Sequence, residues 1–484
     1  MLCATALAVA MLSGCAGHEA GDLDQDSDSL SWLPGDHHVH SHYSVDWDET
    51  ESPPAPIIGG EASYPAERSA RMARKHGLRW LVITDHGGPN QSALTRDRAY
   101  PELLRSRRAV PEVLQFHGAE LDVPGAKHAT VIMPRNDREA ELLYRIERGF
   151  ARKDAYPRDR SRDSRAHMLR ALDFMRSLPA PPLVIVNHPG RTIDAHGNYG
   201  LDSPERMRDW NDRAPDVMVG MEGSPGHQAM ALAGNGPVDE SAVRADYDLY
   251  PTLGGFDVMT ARVGGLWDSM LGEGRRWWIT ASSDSHLHYT EGGRDFWPGE
   301  YSKTYVHART DYDSILDALR RGRVFVVTGD LIDGLELTAS TADSAQTAVI
   351  GQTLQVPVGS DVTISICFSD PVRLNAAGFD PRVARVDLIA GAVRQRPTSS
   401  LPGDSRSADH NPTAKVVRRF TPATWRQNDG CALATFVFSD IQHSFYVRAR
   451  GTNTAETEPQ PDRPGENPWE DLWFYGNPVF IEAQ

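Results

Sequence analysis

The residues best suited to chemistry are histidines and carboxylates that sit directly after short apolar runs. Leu81-Val82-Ile83-Thr84 runs into Asp85-His86, and Val113 to Phe116 runs into His117-Gly118-Ala119-Glu120. Leu183-Val184-Ile185-Val186 runs into Asn187-His188-Pro189-Gly190, and Trp277-Trp278-Ile279-Thr280 runs into Ser282-Ser283-Asp284-Ser285-His286. The first such segment is Asp36-His37-His38-Val39-His40. On a strand, residues i and i+2 share a face, so His38 and His40 are expected to project together. Imidazole is the commonest metal ligand, and two on one face make half a metal site. One H-x-H is a weak signal, as is Asp284-x-His286 taken alone. Their occurrence with His86, Glu120 and His188, each at a strand end, is a strong one. Asp85 and His37 alternate away from the ligand candidates and read as supporting or structural residues. His196, His227 and His288 read as histidines on loops over the mouth, in reach of substrate or, more simply, on the surface. Glu222, after Val217 to Met221, reads either as lining the mouth or as one half of a structural salt bridge.

Groups this far apart in the chain meet only if the strands share one sheet. From Trp32 to Gly329 short apolar runs alternate with helical patterns over Pro65 to His76, Ser164 to Leu178 and Asp313 to Arg321. That alternation predicts an α/β domain with a parallel sheet, open or closed into a barrel. In a β/α barrel, residues at the C-terminal ends of the strands build the active site. After Asp330 the pattern changes to short strands without helices, around Val362–Ile366, Val386–Ile389, Ala434–Phe438 and Phe445–Arg448. This predicts a small antiparallel β-sandwich over residues 331–484. No ligand candidate lies beyond Asp330, so the sandwich is expected to be dispensable for chemistry.

The ordered motifs Asp36-His37-His38-Val39-His40-Ser41, Thr84-Asp85-His86, Gly118-Ala119-Glu120, Asn187-His188-Pro189 and Ser283-Asp284-Ser285-His286 resemble those of the PHP family, named for polymerase and histidinol phosphatase. The resemblance covers residues 34–330 and implies a distorted (β/α)7 barrel. It also implies two or three divalent ions, usually zinc, iron or manganese. Carried over residue by residue, it gives His38, His40 and Asp284 to the first ion, with Glu120 bridging to the second. His128 and His188 complete the second. His86 and His286 hold the third with Asp46, for which Asp48 and His42 are rivals because Val45 separates Ser44 from Asp46.

A metal-bound hydroxide is a nucleophile at neutral pH. The reaction expected is hydrolysis of a small phosphomonoester or phosphodiester, with Arg191 and Lys303 as candidate cations for the phosphoryl charge. The alternatives are hydrolysis of a carboxylic or carbamic ester at the same metals, and a surface binding protein whose metals are structural. A formal charge of −16 argues against gripping a nucleic-acid backbone, so the expected partner is a small molecule.

The N-terminus suggests export. Ala4 to Leu12 is apolar but far shorter than the ~20 residues that span a bilayer. It reads as the core of a signal peptide over residues 1–14. Leu12-Ser13-Gly14-Cys15 resembles a bacterial lipobox, which implies a lipid on Cys15 and a location in the periplasm or at the cell exterior. The membrane is then met only through the lipid. Residues 15–33, acidic and poor in apolar side chains, read as a tether. Cys367 and Cys431 remain, either as a disulfide or as two buried thiols.

Overall fold

A computed structural model describes residues 29–194, 197–232, 234, 237–247, 249–342, 346–394, 396 and 407–484. The expected leader, Cys15, most of the acidic tether and His196 lie outside the described residues.

The first part of the chain forms β1 (Ser31–Val39), the hairpin of β2 (Asp46–Asp48) and β3 (Ala55–Ile57), α1 (Ala66–Lys75) and β4 (Trp80–Ile83). There follow α2 (Gln91–Leu94), α3 (Tyr100–Ala109), β5 (Leu114–Asp122), β6 (His128–Ile132), α4 (Glu139–Phe150) and α5 (Arg165–Arg176). Next come β7 (Leu183–Val186), α6 (Pro204–Arg213), β8 (Met218–Ser224), α7 (Val258–Ala261), α8 (Leu266–Gly272) and β9 (Trp278–Ala281). β10 (Ser302–Ala308), α9 (Tyr312–Arg321) and β11 (Val324–Thr328) end this part. The remainder is strand: β12 (Gly334–Thr341), β13 (Thr347–Val349), β14 (Thr353–Val356), β15 (Val362–Ser369), β16 (Arg385–Ala392) and β17 (Lys415–Phe420). It finishes with β18 (Arg426–Asn428), β19 (Cys431–Phe438), β20 (Phe445–Thr452), β21 (Trp473–Gly476) and β22 (Val479–Ala483).

Local chemistry accounts for the helix ends. Asp311 caps α9 by accepting from Ser314 N, and Gly322 closes it with φ 69°. Between the caps, Ile315, Leu316, Ala318 and Leu319 are buried on one face. Every residue of β4 and β7 is buried, as expected for strands covered on both sides.

The protein is a mixed α/β structure with one large mixed sheet and separate antiparallel sheets. Pairing is parallel for β1–β4–β5 and for β7–β8–β9. It is not parallel throughout, contrary to the expectation from β/α alternation. β6 runs antiparallel to both β5 and β7, because only a short turn separates it from β5 and no helix intervenes. β10 is likewise antiparallel to β1. Beyond β9 the chain returns to β1: Asp284 N donates to His38 O at 3.0 Å, and His40 N donates to Ser285 O at 3.1 Å. The edge of β9 is further satisfied by side chains. Thr304 Oγ1 bonds Ala281 N and O, and the Asn477 amide bonds Ile279 N and O. The first and last strands of this run therefore meet.

The tether ends earlier than the composition suggested. Ser31 is already paired with Ala308, and Leu33 is buried. The second part is also not set apart at residue 330. β11 pairs with β21, so strands β20, β22, β14, β16 and β17 extend the same sheet. The five-stranded antiparallel sheet of β13, β12, β15, β19 and β18 shares a core with it, where Leu335, Ile364, Ile366 and Phe368 join Phe325, Phe474 and Val479. Cys367 and Cys431 form a disulfide between β15 and β19, with Cα atoms 5.6 Å apart. Arg448 on β20 grips Asp268 on α8 at 2.8 and 2.7 Å, with both side chains fully buried.

Candidate metal centre

The ends of β1, β4, β5, β7 and β9 bring seven strand-end ligand candidates together, and the start of β6 adds His128. Four form one buried group: His38, His40, Glu120 and Asp284. His40 Nε2 lies 3.0 Å from both His38 Nε2 and Asp284 Oδ1. His38 Nε2 is 3.1 Å from the same Oδ1 and 3.4 Å from Glu120 Oε1. A second group is Glu120, His128 and His188, where Oε1 of Glu120 is 3.1 Å from His128 Nδ1 and from His188 Nε2. Glu120 belongs to both. His40, His86 and His286 make a third group beside them.

The donor set fits divalent ions. Ligands at about 2.0–2.2 Å from a tetrahedral ion stand about 3–3.5 Å from one another, as these atoms do. The outward nitrogens are already engaged. His38 Nδ1 is 2.8 Å from Glu222 Oε1, His40 Nδ1 is 2.7 Å from Ser44 Oγ, and His286 Nδ1 is 2.8 Å from Asp284 O. Those bonds put the protons outside and leave lone pairs on Nε2 facing inward. Lone pairs that face lone pairs and carboxylates are satisfied by cations.

The electrostatics carry the same demand. Burial alone pushes Glu120 up, but His128 and His38 outweigh it and hold its pKa well below the usual range. Burial pushes His38 down, yet Asp284, Glu120 and Glu222 together raise it well above the ordinary value. His40 goes the other way, lowered by burial and by the facing His286 and His38. Without a metal, the cluster shares too few protons among too many ligands.

A layer of buried residues aims these groups. Glu222 also accepts from Ser282 Oγ at 2.7 Å and from His188 N at 2.5 Å. Of its two readings, Glu222 follows the structural one: it is fully buried behind the ligand candidates and paired with His38. Asn187 donates to Glu120 Oε1 at 3.0 Å while accepting from Thr130 N at 2.9 Å. Asp85 accepts from Ser41 N, Ser41 Oγ and Ser44 Oγ, which makes it a supporting residue. Asp36, raised by burial to about 7, accepts from His38 N and Ser283 N and ties β1 to the segment after β9. His37 is buried beside Glu222 at 4.0 Å.

Four expectations need correction. Asp46 is exposed on β2 and belongs to none of the ligand groups; the carboxylates facing His86 are Glu61, at 3.4 Å, and Glu120, at 3.7 Å. The rivals are engaged elsewhere, His42 with Glu102 at 3.0 Å and Asp48 with Thr50. Lys303 points away from the cluster. Strand alternation on β10 turns Thr304 toward β9 and Lys303 toward Asp330, which it binds at 2.5 Å. His227 is no surface residue: its Nε2 is 3.2 Å from Asp284 Oδ2, and its Nδ1 is held by Asp295. His288 is buried too, bonded to Glu300 at 2.9 Å and stacked on Trp297.

Arg191 does overlook the cluster. With Glu120, His128, His188, His227 and Asp284 it lines a cavity of about 310 Å³. Its Nη2 is 3.6 Å from Asp284 Oδ2 and donates to Ala245 O at 3.4 Å. His188, His227, Ala245, Asp246 and Asp284 all have positive φ, between 31° and 62°. Such backbone is costly for residues with a side chain and is typically held in place at functional sites. A larger cleft of about 780 Å³ adjoins the cavity and shares Glu61 and His86 with it. Among the described residues, Asp462, Glu466 and Asp471 form another acidic group, but the Arg244 guanidinium is inserted among them.

No family model matches the chain, and no curated protein matches it.

Proposed function

We propose that this protein is a metal-dependent phosphoesterase that hydrolyses a small phosphomonoester or phosphodiester. The observation that carries the reading is Glu120, whose carboxylate faces the His38–His40–Asp284 group on one side and the His128–His188 pair on the other. Two adjacent ligand groups joined by one carboxylate suit a two-metal hydrolase better than a closed structural site. We place the third ion with His40, His86 and His286, with Glu61 in the role first given to Asp46. The resemblance of the motifs to the PHP family supports the same reading. So does the return of the chain after β9 to the end of β1, which suits a distorted (β/α)7 barrel.

Divalent ions such as zinc, manganese or iron, once bound, supply a nucleophilic water at neutral pH and polarise the phosphoryl oxygens. The protein's own groups do the rest. Arg191, at the wall of the cavity, pairs with the anionic oxygens of the phosphoryl group. Asn187 fixes the orientation of Glu120, and Glu222 fixes that of His38. His227, held by Asp295, presents its Nε2 to Asp284 on the same wall.

The proposal extends to location. An exported protein lipidated at Cys15 would fold in an oxidising compartment, where the Cys367–Cys431 disulfide is at home.

The test is a panel of chromogenic phosphate, carboxylate and carbamate esters, assayed with added manganese or zinc. Turnover of phosphate esters that chelation abolishes is the expected result. Turnover confined to the neutral esters moves the reaction to carbon. No turnover of any ester by metal-loaded protein leaves a binding protein with structural metals.

A further inference from the structure

The 780 Å³ cleft beside the cluster opens onto it through Glu61 and His86, and the rest of its lining belongs to none of the ligand groups. Its size falls within the usual range for small-molecule sites, about 300–1,000 Å³. One wall is the β2–β3 hairpin, which carries Trp47. The other is the segment with Lys153, Tyr156 and Arg158. Ser52 Oγ, on the hairpin, lies 2.8 Å from Tyr156 OH and ties the two walls together. Gly87 and Gly88 let the indole of Trp47 lie against the loop after β4; a β-carbon at Gly88 would stand 2.9 Å from its ring.

The lining states what it can bind. Trp47 and Tyr156 offer aromatic surface. Asp46, Glu49 and Glu51 offer hydrogen-bond acceptors, while Arg158, and Lys153 beside its partner Asp122, offer donors. A second phosphate on the substrate would meet the carboxylates of Asp46, Glu49 and Glu51. A quaternary ammonium suits the rings and the carboxylates but has no hydrogen-bonding group for Arg158 and Lys153. A neutral ring bearing several hydroxyls can donate to the carboxylates, accept from the cations and lay its C–H face on an aromatic side chain.

We infer that this cleft is the leaving-group subsite and that the substrate is the phosphate ester of a neutral polyhydroxylated ring, a sugar or a cyclitol. The inference rests on the phosphoesterase reading for its catalytic half. It also makes exposed Asp46 a substrate-contacting residue rather than a metal ligand.

The experiment uses the metal-loaded full chain with a hexose phosphate, glycerol phosphate, phosphocholine and a nucleoside monophosphate. The hexose phosphate is expected to have the highest kcat/KM. Trp47→Ala is expected to raise its KM at least tenfold with kcat and metal content little changed, and to alter glycerol phosphate less than twofold. Trp47→Phe, which keeps a ring, should restore most of the loss. Equal effects on all four esters, or preference for the nucleotide or phosphocholine, would overturn the assignment. Binding of the free hexose or cyclitol, followed by calorimetry, reads the cleft without catalysis. Binding that Trp47→Ala and Tyr156→Ala abolish supports the subsite even if no phosphate ester is cleaved, in which case the phosphoesterase reading alone fails. No binding, together with no discrimination among esters, overturns the inference.

Discussion

Glu222 Oε1 lies 2.8 Å from His38 Nδ1, and both side chains are fully buried. The carboxylate accepts a hydrogen bond from the outer N–H of the imidazole and so turns the inner nitrogen toward the ligand group. Glu222→Gln keeps the shape but removes the charge that fixes this tautomer. It should weaken metal binding roughly 10–100-fold, measured by competition with a chelator. Unchanged affinity would mean that His38 needs no orienting partner.

Glu120 faces both ligand groups, so Glu120→Ala should lower metal content and kcat together. Elemental analysis alongside single-turnover kinetics checks this. Wild-type protein should hold more than one transition metal per chain, and chelation should abolish turnover. A variant with full metal content and low activity would remove Glu120 from the bridging role.

Arg191 touches Asp284 but belongs to no ligand group. Arg191→Ala should keep the metals and reduce kcat/KM on phosphate esters by roughly 2–4 kcal/mol. Neutral carboxylic and carbamic esters bring no anion to it and should change little. Loss of metal, or equal loss on all substrates, would show that the guanidinium serves the cluster and not the substrate.

The strand region after Asp330 was expected to be dispensable for chemistry, but strand pairing and a buried ion pair tie it to the first part. A chain ending at Asp330 loses β21, the hydrogen-bonded neighbour of β11, and leaves Asp268 buried without Arg448. It should be insoluble. In the full chain, Arg448→Met should destabilise the fold by about 3–5 kcal/mol, since an uncompensated carboxylate stays buried. Thermal melts of the variant read this directly, and a melting curve like that of the wild type would count against the pair as a structural tie.

Cys15→Ala should release the protein from the membrane fraction of the native host, and Cys15 should be the first residue of the mature chain. An unprocessed N-terminus at the membrane would contradict the lipid anchor.

The sequence by itself determined which ligand candidates gather at strand ends. His86, Glu120, His188, Asp284 and His286 come after runs of apolar residues, His38 and His40 alternate on one strand, and strands that share one sheet present their ends together. His128 was placed by resemblance alone. It reaches Glu120 because β6 turns back antiparallel on β5, a reversal that the short turn after Asp122 signalled. What the tertiary structure decided lies where no periodicity exists. Whether Asp46 or Glu61 faces His86 depends on the course of the β2–β3 hairpin, and both are acids in polar, irregular sequence. His227 reaches Asp284 from a loop whose backbone adopts a positive φ that nothing in its composition announces. Lys303 was read from its place near the expected mouth, but its direction is set by the register of β10 against β1 and β11. The union of the two strand regions rests on β11 pairing with β21 nearly 150 residues away. A strand records which of its faces is buried, but not which edge it will pair with, because backbone hydrogen bonds carry no side-chain signature.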